Sequence, residues 1–216
     1  MGDRGLAVSL ADAPLRGRTL DEIAERGGGR SALLLSWARK PPAGVDKLGL
    51  EVGLADAFGR LRTRDAIPFL IANITLQRGL FYRADIWMKT PQVVEGALPA
   101  VAALIRIGPE ASRSLIRKFP TLSAEDRLAA IFVVSRISGV PEAQDFLNSV
   151  IGGARLEAFW ARGGAVAVGC GVRNEQFLSR GACEQPDVTT LNDEVFLFMN
   201  GKGTGYGMAA ADRRPT

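Results

Sequence analysis

Three pairs of polar side chains stand four residues apart: Asn73 with Gln77, Arg113 with Arg117, and Gln144 with Asn148. On a helix that spacing places both members of a pair on one face, a turn apart. Side-chain amides and guanidiniums placed this way offer hydrogen bonds and charge, which suit recognition of a partner rather than bond making.

Catalytic candidates are fewer. Asp56, Asp65 and Glu95 have arginines nearby in the sequence, and two carboxylates can act as an acid–base pair. Nothing in their spacing requires them to converge, and solvated helix faces carry such charges routinely. The chain has no histidine, which excludes a Ser-His-Asp triad, a Cys-His pair and every His-ligated metal site. Cys170 and Cys183, thirteen residues apart, match neither a CxxC redox motif nor a disulfide-dense scaffold, and reduced thiols are expected. Gly201-Lys202-Gly203-Thr204-Gly205-Tyr206-Gly207 imitates a phosphate loop behind the strand-like run Val195-Phe196-Leu197-Phe198-Met199. A Walker A motif would need glycine where Phe196 stands, and a dinucleotide fingerprint would need glycine in place of Tyr206. No cofactor and no metal are expected.

The chain of 216 residues is 47% hydrophobic and 23% charged, ordinary values for a globular protein with a real core. The net charge of +4 is uneven: residues 1–122 carry 18 Lys/Arg against 12 Asp/Glu, and the remainder is slightly acidic. That excess attracts an acidic partner only weakly, since no run of like charges concentrates it. No apolar stretch suits a signal peptide or a membrane span, so a soluble, cytoplasmic protein is expected.

The elements that must position these residues are helices. A short turn recurs four times between apolar segments of helical period: Ala24-Glu25-Arg26-Gly27, Phe58-Gly59-Arg60-Leu61, Arg106-Ile107-Gly108-Pro109 and Arg136-Ile137-Ser138-Gly139. Thr19-Leu20-Asp21-Glu22 has capping-box spacing and predicts a helix from there to Arg26. Ser31 predicts the start of a second helix, which Pro41-Pro42 must end. A third helix is expected from about Asp46, and beyond a turn at Arg62-Thr63 a fourth presents Ile67, Leu70, Ile71 and Ile74. Residues 79–91 interrupt the pattern as an insertion. A helix carrying Val94, Leu98, Val101, Leu104 and Ile105 follows, then one with Leu115, Ile116 and Phe119 beyond Gly108-Pro109. Ser123-Ala124-Glu125-Asp126 caps the last pair, which turns at Gly139-Val140-Pro141. One helical hairpin cannot bury its own apolar face, so repeated hairpins imply stacking.

Ala57-Phe58-Gly59-Arg60-Leu61-Arg62-Thr63-Arg64-Asp65-Ala66-Ile67-Pro68-Phe69-Leu70 resembles a unit of the HEAT-like repeat family, including the short bacterial form also found in phycobilisome lyases. The shared pattern is a helix ending in a small residue–Gly–x–Leu, then aspartate before an aliphatic–Pro–x–Leu second helix. Pro109-Glu110-Ala111 and Pro141-Glu142-Ala143 open second helices in the matching place without the aspartate. The resemblance implies an all-α fold, a right-handed α-solenoid (α-α superhelix) of about four helical hairpins. It would occupy residues 19–162, with an N-terminal extension at 1–18 and a low-order glycine-rich tail at 163–216. It also implies that Asp65 ties adjacent turns together and that Pro68 sits harmlessly in a first helical turn.

In this family the second helices line the concave side. By that resemblance Asn73, Gln77, Arg113, Arg117, Gln144 and Asn148 would form a polar stripe there, reinforced by Arg78 and Lys118. The implied function is a non-enzymatic protein-binding scaffold. One alternative is nucleic-acid binding on a mildly basic concave face; another is an accessory role in tetrapyrrole (bilin) attachment. No feature of the sequence sets the oligomeric state.

Overall fold

The computed structural model describes residues 2–79, 91–139 and 146. All regular structure among them is helical. The chain divides into two compact units, Met1–Leu80 with Glu95–Ser114, and Phe81–Val94 with Leu115–Thr216.

The first unit opens with helix α1 (Asp3–Ala11), whose Leu6, Ala7, Leu10 and Ala11 are buried at helical spacing. The expected N-terminal extension is therefore part of the packed unit, and α1 lies against α4 (Lys47–Leu61). Between them α2 runs Ala13–Arg26. Thr19 does not cap it. The residue is buried in mid-helix, and its hydroxyl donates to the Leu15 carbonyl at 3.1 Å, the back-bond that a threonine makes inside a helix. The true start lies earlier because Pro14 falls in the first turn, where its missing amide costs little. Arg16 closes the α1–α2 corner by donating to the Leu10 carbonyl at 3.0 Å and the Ala11 carbonyl at 2.8 Å. Those are carbonyls that the end of α1 leaves without helical partners.

A 3₁₀ turn at Gly27–Arg30 leads into α3 (Ser31–Arg39), which buries Leu34 and Trp37 and ends before Pro41-Pro42, as expected. Asp46 caps α4, its carboxylate accepting from the Gly49 amide at 3.0 Å. Nearly every residue of α4 from Leu50 to Gly59 is buried, so this helix is the axis of the unit. Its glycines make the close approaches possible. A Cβ on Gly53 would lie 2.7 Å from Leu10 Cγ, and one on Gly59 would lie 2.8 Å from Ala103 Cα. Gly59 is therefore an interior contact residue of α4, not a turn residue.

The reversal comes three residues later at Arg62, in the left-handed region (φ 49°, ψ 45°). The Thr63 amide donates to the Phe58 carbonyl at 3.0 Å and the Arg62 amide to the Gly59 carbonyl at 3.4 Å. This paired closure is the Schellman motif, whose left-handed position glycine ordinarily fills.

After a 3₁₀ turn at Arg64–Ala66, α5 runs only Ile67–Ala72, with Pro68 in its first turn. Asn73 closes it: both its backbone amide, at 3.1 Å, and its side-chain amide, at 2.9 Å, donate to the Phe69 carbonyl. The next helix is broken as well. Separate helices α6 (Pro91–Ala97) and α7 (Pro99–Ile107) replace the continuous one expected through Leu98. Pro99 has no amide to donate and forces Leu98 out of helical geometry, to φ −113°, ψ 89°. α7 packs beside α4 and ends at Gly108 (φ 88°), after which Pro109 starts α8 (Pro109–Lys118). Arg64 pairs with Glu110 at 2.9 Å, joining the turn after α4 to the start of α8. The tie expected from Asp65 is thus made by its neighbour. Asp65 itself is exposed on the 3₁₀ turn and has no hydrogen-bonded partner among the described residues.

In the second unit, Ser123 caps α9 (Ala124–Ser138), its hydroxyl accepting from the Asp126 amide at 3.2 Å. α9 buries Leu128, Ala129, Ala130, Ile131, Val133 and Val134 and ends at Gly139 (φ 82°). Arg127, in the first turns of α9, is buried, donating to the carbonyls of Phe119 (3.1 Å) and Pro120 (2.6 Å) with its guanidinium over the Phe119 ring. Phe119 and Phe146 meet edge to face, 5.1 Å between centroids. Residues 80–90 of the expected insertion, the turn at Val140-Pro141 and the tail from residue 163 lie outside the described residues. Among the described helices none is long and apolar enough to cross a membrane.

Candidate functional site

The first unit carries a cleft of about 560 Å³ at the C-terminal ends of α4 and α7. The contact between Gly59 and Ala103 sets these two ends side by side, so the basic residues that close each helix face a common space. The last turn of α4 contributes Arg60, the left-handed reversal contributes Arg62, and the last turn of α7 contributes Arg106. Arg78 enters from the segment after α5, and Leu20 of α2 supplies an apolar wall. Cations near helix C-termini offset the negative end of the helix dipole, which accounts for arginine at 60 and 106 without a ligand. The same benefit reaches position 62, but there the left-handed backbone favours glycine, so arginine at 62 carries a cost that those at 60 and 106 do not.

The four guanidiniums are not equivalent. Arg78 grips Asp56 through both terminal nitrogens and both carboxylate oxygens, a fork-on-fork pair, and Asp56 is only 6% exposed. The Arg78 amide also donates to the Ala97 carbonyl at 2.9 Å, which holds its backbone in place. Arg16 lies within electrostatic reach of this pair. Burial pushes its guanidinium below the usual arginine range and Asp56 opposes that shift, while the charge of Arg78 adds to it. Arg60 pairs with Asp21 of α2. Arg62 and Arg106 are exposed and have no acidic partner among the described residues. Two positive charges in the cleft are thus committed internally and two remain.

Among the described residues the lining holds no hydroxyl, thiol or imidazole, and its one carboxylate is engaged by Arg78. Such a site holds an anion by charge and directed N–H donors. Its corner also carries local costs. Beside the left-handed Arg62, the Thr63 hydroxyl is buried without a hydrogen-bond partner among the described residues.

The chain matches no family model, no curated protein and no solved structure.

Asn73, Gln77, Arg113 and Arg117, the described members of the expected polar stripe, do not line this cleft. Asn73 and Gln77 do not share a helix face, because α5 ends at Ala72 and Asn73 is its C-cap. Arg113 and Arg117 are both exposed on α8. Gln144 and Asn148 lie outside the described residues. The signal for the cleft was present in the recurring turn itself. The copies at Phe58-Gly59-Arg60-Leu61 and Arg106-Ile107-Gly108-Pro109 each carry an arginine, and packing two such turns together concentrates charge. Asp56 is buried in α4 and held by Arg78, whereas Asp65 is exposed on the 3₁₀ turn.

Proposed function

We propose that the protein is a non-enzymatic binding module, a HEAT-like α-solenoid that holds an acidic protein partner in the arginine cleft of its first unit. The carrying observation is that Arg62 and Arg106 line one cleft with no acid among the described residues to neutralise them, one of them at a backbone position that disfavours arginine. The side-by-side packing of α4 and α7 supports the stacked-helix part of the reading. A protein partner suits the site better than a nucleic acid. Nucleic-acid affinity comes from many phosphate contacts along a basic track, whereas Asp56 and Asp21 reduce this cleft to two available charges.

Binding of a fluorescein-labelled oligoglutamate peptide at low salt, followed by anisotropy, tests the assignment. The Arg62→Glu/Arg106→Glu protein should lose binding, and Arg113→Glu/Arg117→Glu should keep it. The reverse pattern would move the binding surface to α8 and remove the cleft from the proposal.

A further inference from the structure

We infer that the anion this cleft is built for is a phosphate monoester dianion carried on a partner's side chain, in preference to a carboxylate. The inference rests on the proposed binding function and deepens it. The cleft contains its own calibration. One carboxylate, that of Asp56, is fully used by one guanidinium, that of Arg78, through two parallel N–H···O bonds. A partner's glutamate or aspartate would be satisfied in the same way by either Arg62 or Arg106, leaving the other unmatched. A phosphomonoester carries close to two negative charges at pH 7 and three terminal oxygens, enough to engage both forks lining the cleft and balance both charges. An internal phosphodiester has one charge and two such oxygens, and again leaves one guanidinium over. The cleft volume of about 560 Å³ exceeds a bare phosphate several-fold, and Leu20 offers an apolar wall to the carbon that bears the ester.

The test uses the full chain and small anions of defined class: phenyl phosphate, inorganic phosphate, benzoate and dimethyl phosphate. Binding is followed by the ¹⁵N shifts of the arginine Nε–H groups. Phenyl phosphate should bind with a Kd at least about tenfold below those of benzoate and dimethyl phosphate, the advantage of pairing a second charge. With a second ionisation near pH 6, its affinity should fall about fourfold from pH 7.5 to 5.5 as the dianion fraction falls. The carboxylates facing the arginines are Asp21 and Asp56, and the chain has no histidine to titrate in that window. Arg62→Ala and Arg106→Ala should each abolish the phenyl phosphate advantage, and Arg113→Ala should leave it intact; circular dichroism confirms that each variant is folded.

Equal binding of benzoate overturns the inference while leaving the acidic-partner reading standing. Equal binding of dimethyl phosphate overturns it in favour of a nucleic-acid backbone, and equal binding of inorganic phosphate shows that the ester carbon contributes nothing. If neither phenyl phosphate nor oligoglutamate binds, the inference and the proposed function fall together.

Discussion

Replacing Arg62 with glycine should make the protein more stable and worse at binding. Arg62 sits at φ 49°, ψ 45°, in the position of a Schellman closure that glycine ordinarily occupies. A non-glycine residue there carries about 1–2 kcal/mol of clash between its Cβ and the following carbonyl. Glycine removes that clash, but it also widens the unfolded ensemble at a cost of about 0.5–1 kcal/mol. The net expectation for Arg62→Gly is a gain of about 0.5–1 kcal/mol. For a unit of about 100 residues that corresponds to a rise of roughly 3–6 °C in the unfolding midpoint. Arg62→Ala is the control, since it removes the same exposed guanidinium but keeps a Cβ in the strained conformation. Urea unfolding followed by far-ultraviolet circular dichroism compares the three proteins. Both variants should lose anion binding, yet only the glycine variant should gain stability. If Arg62→Gly is no more stable than Arg62→Ala, the backbone at 62 is not strained, and the argument that arginine is kept there for a ligand loses its footing.

Other perturbations report on the scaffold that holds the cleft. Gly59→Ala places a methyl 2.8 Å from Ala103 Cα and should destabilise by about 1–3 kcal/mol through overpacking, measured by the urea midpoint. Asp56→Asn leaves Arg78 with no carboxylate; because that arginine's side chain is 32% exposed and water can reach it, the loss should be about 2 kcal/mol rather than the 3–5 of a fully buried pair. Ser123→Ala removes the cap of α9 and should cost about 1 kcal/mol, read as faster amide exchange in the first turn of that helix.

The features legible in the sequence are those decided within a few residues. Asp46 and Ser123 cap helices because a short oxygen-bearing side chain can reach an amide three residues ahead, and Gly108 and Gly139 end helices with positive φ. Features decided across the fold were not legible. The sequence around Leu6 and Leu10 has no capping signal, and its helical identity comes from burial against α4. Gly59 reads as a turn residue until Ala103, 44 positions away, occupies the space a side chain would need. Asp56 and Arg78 are 22 residues apart, and nothing local shows that the reversal after α5 brings them together. Two errors were avoidable. Pro99 inside an apolar helical period is a break by its own chemistry, and Asn73-Ile74-Thr75 is a poor helix interior on propensity alone.

The glycines of α4 bear on the order in which the fold assembles. Gly49, Gly53 and Gly59 make a free peptide of this sequence a reluctant helix, each costing about 1 kcal/mol relative to alanine. The same absence of side chains lets α1 and α7 approach its backbone. α4 is therefore a conditional helix, weak alone and locked once its neighbours arrive. Its formation must coincide with docking instead of preceding it, and its amides should be among the last of the first unit to open to solvent. Arg60 and Arg62 are carried on the end of that helix and Arg106 on the helix docked against it, so the binding geometry comes into existence only as the unit closes around α4.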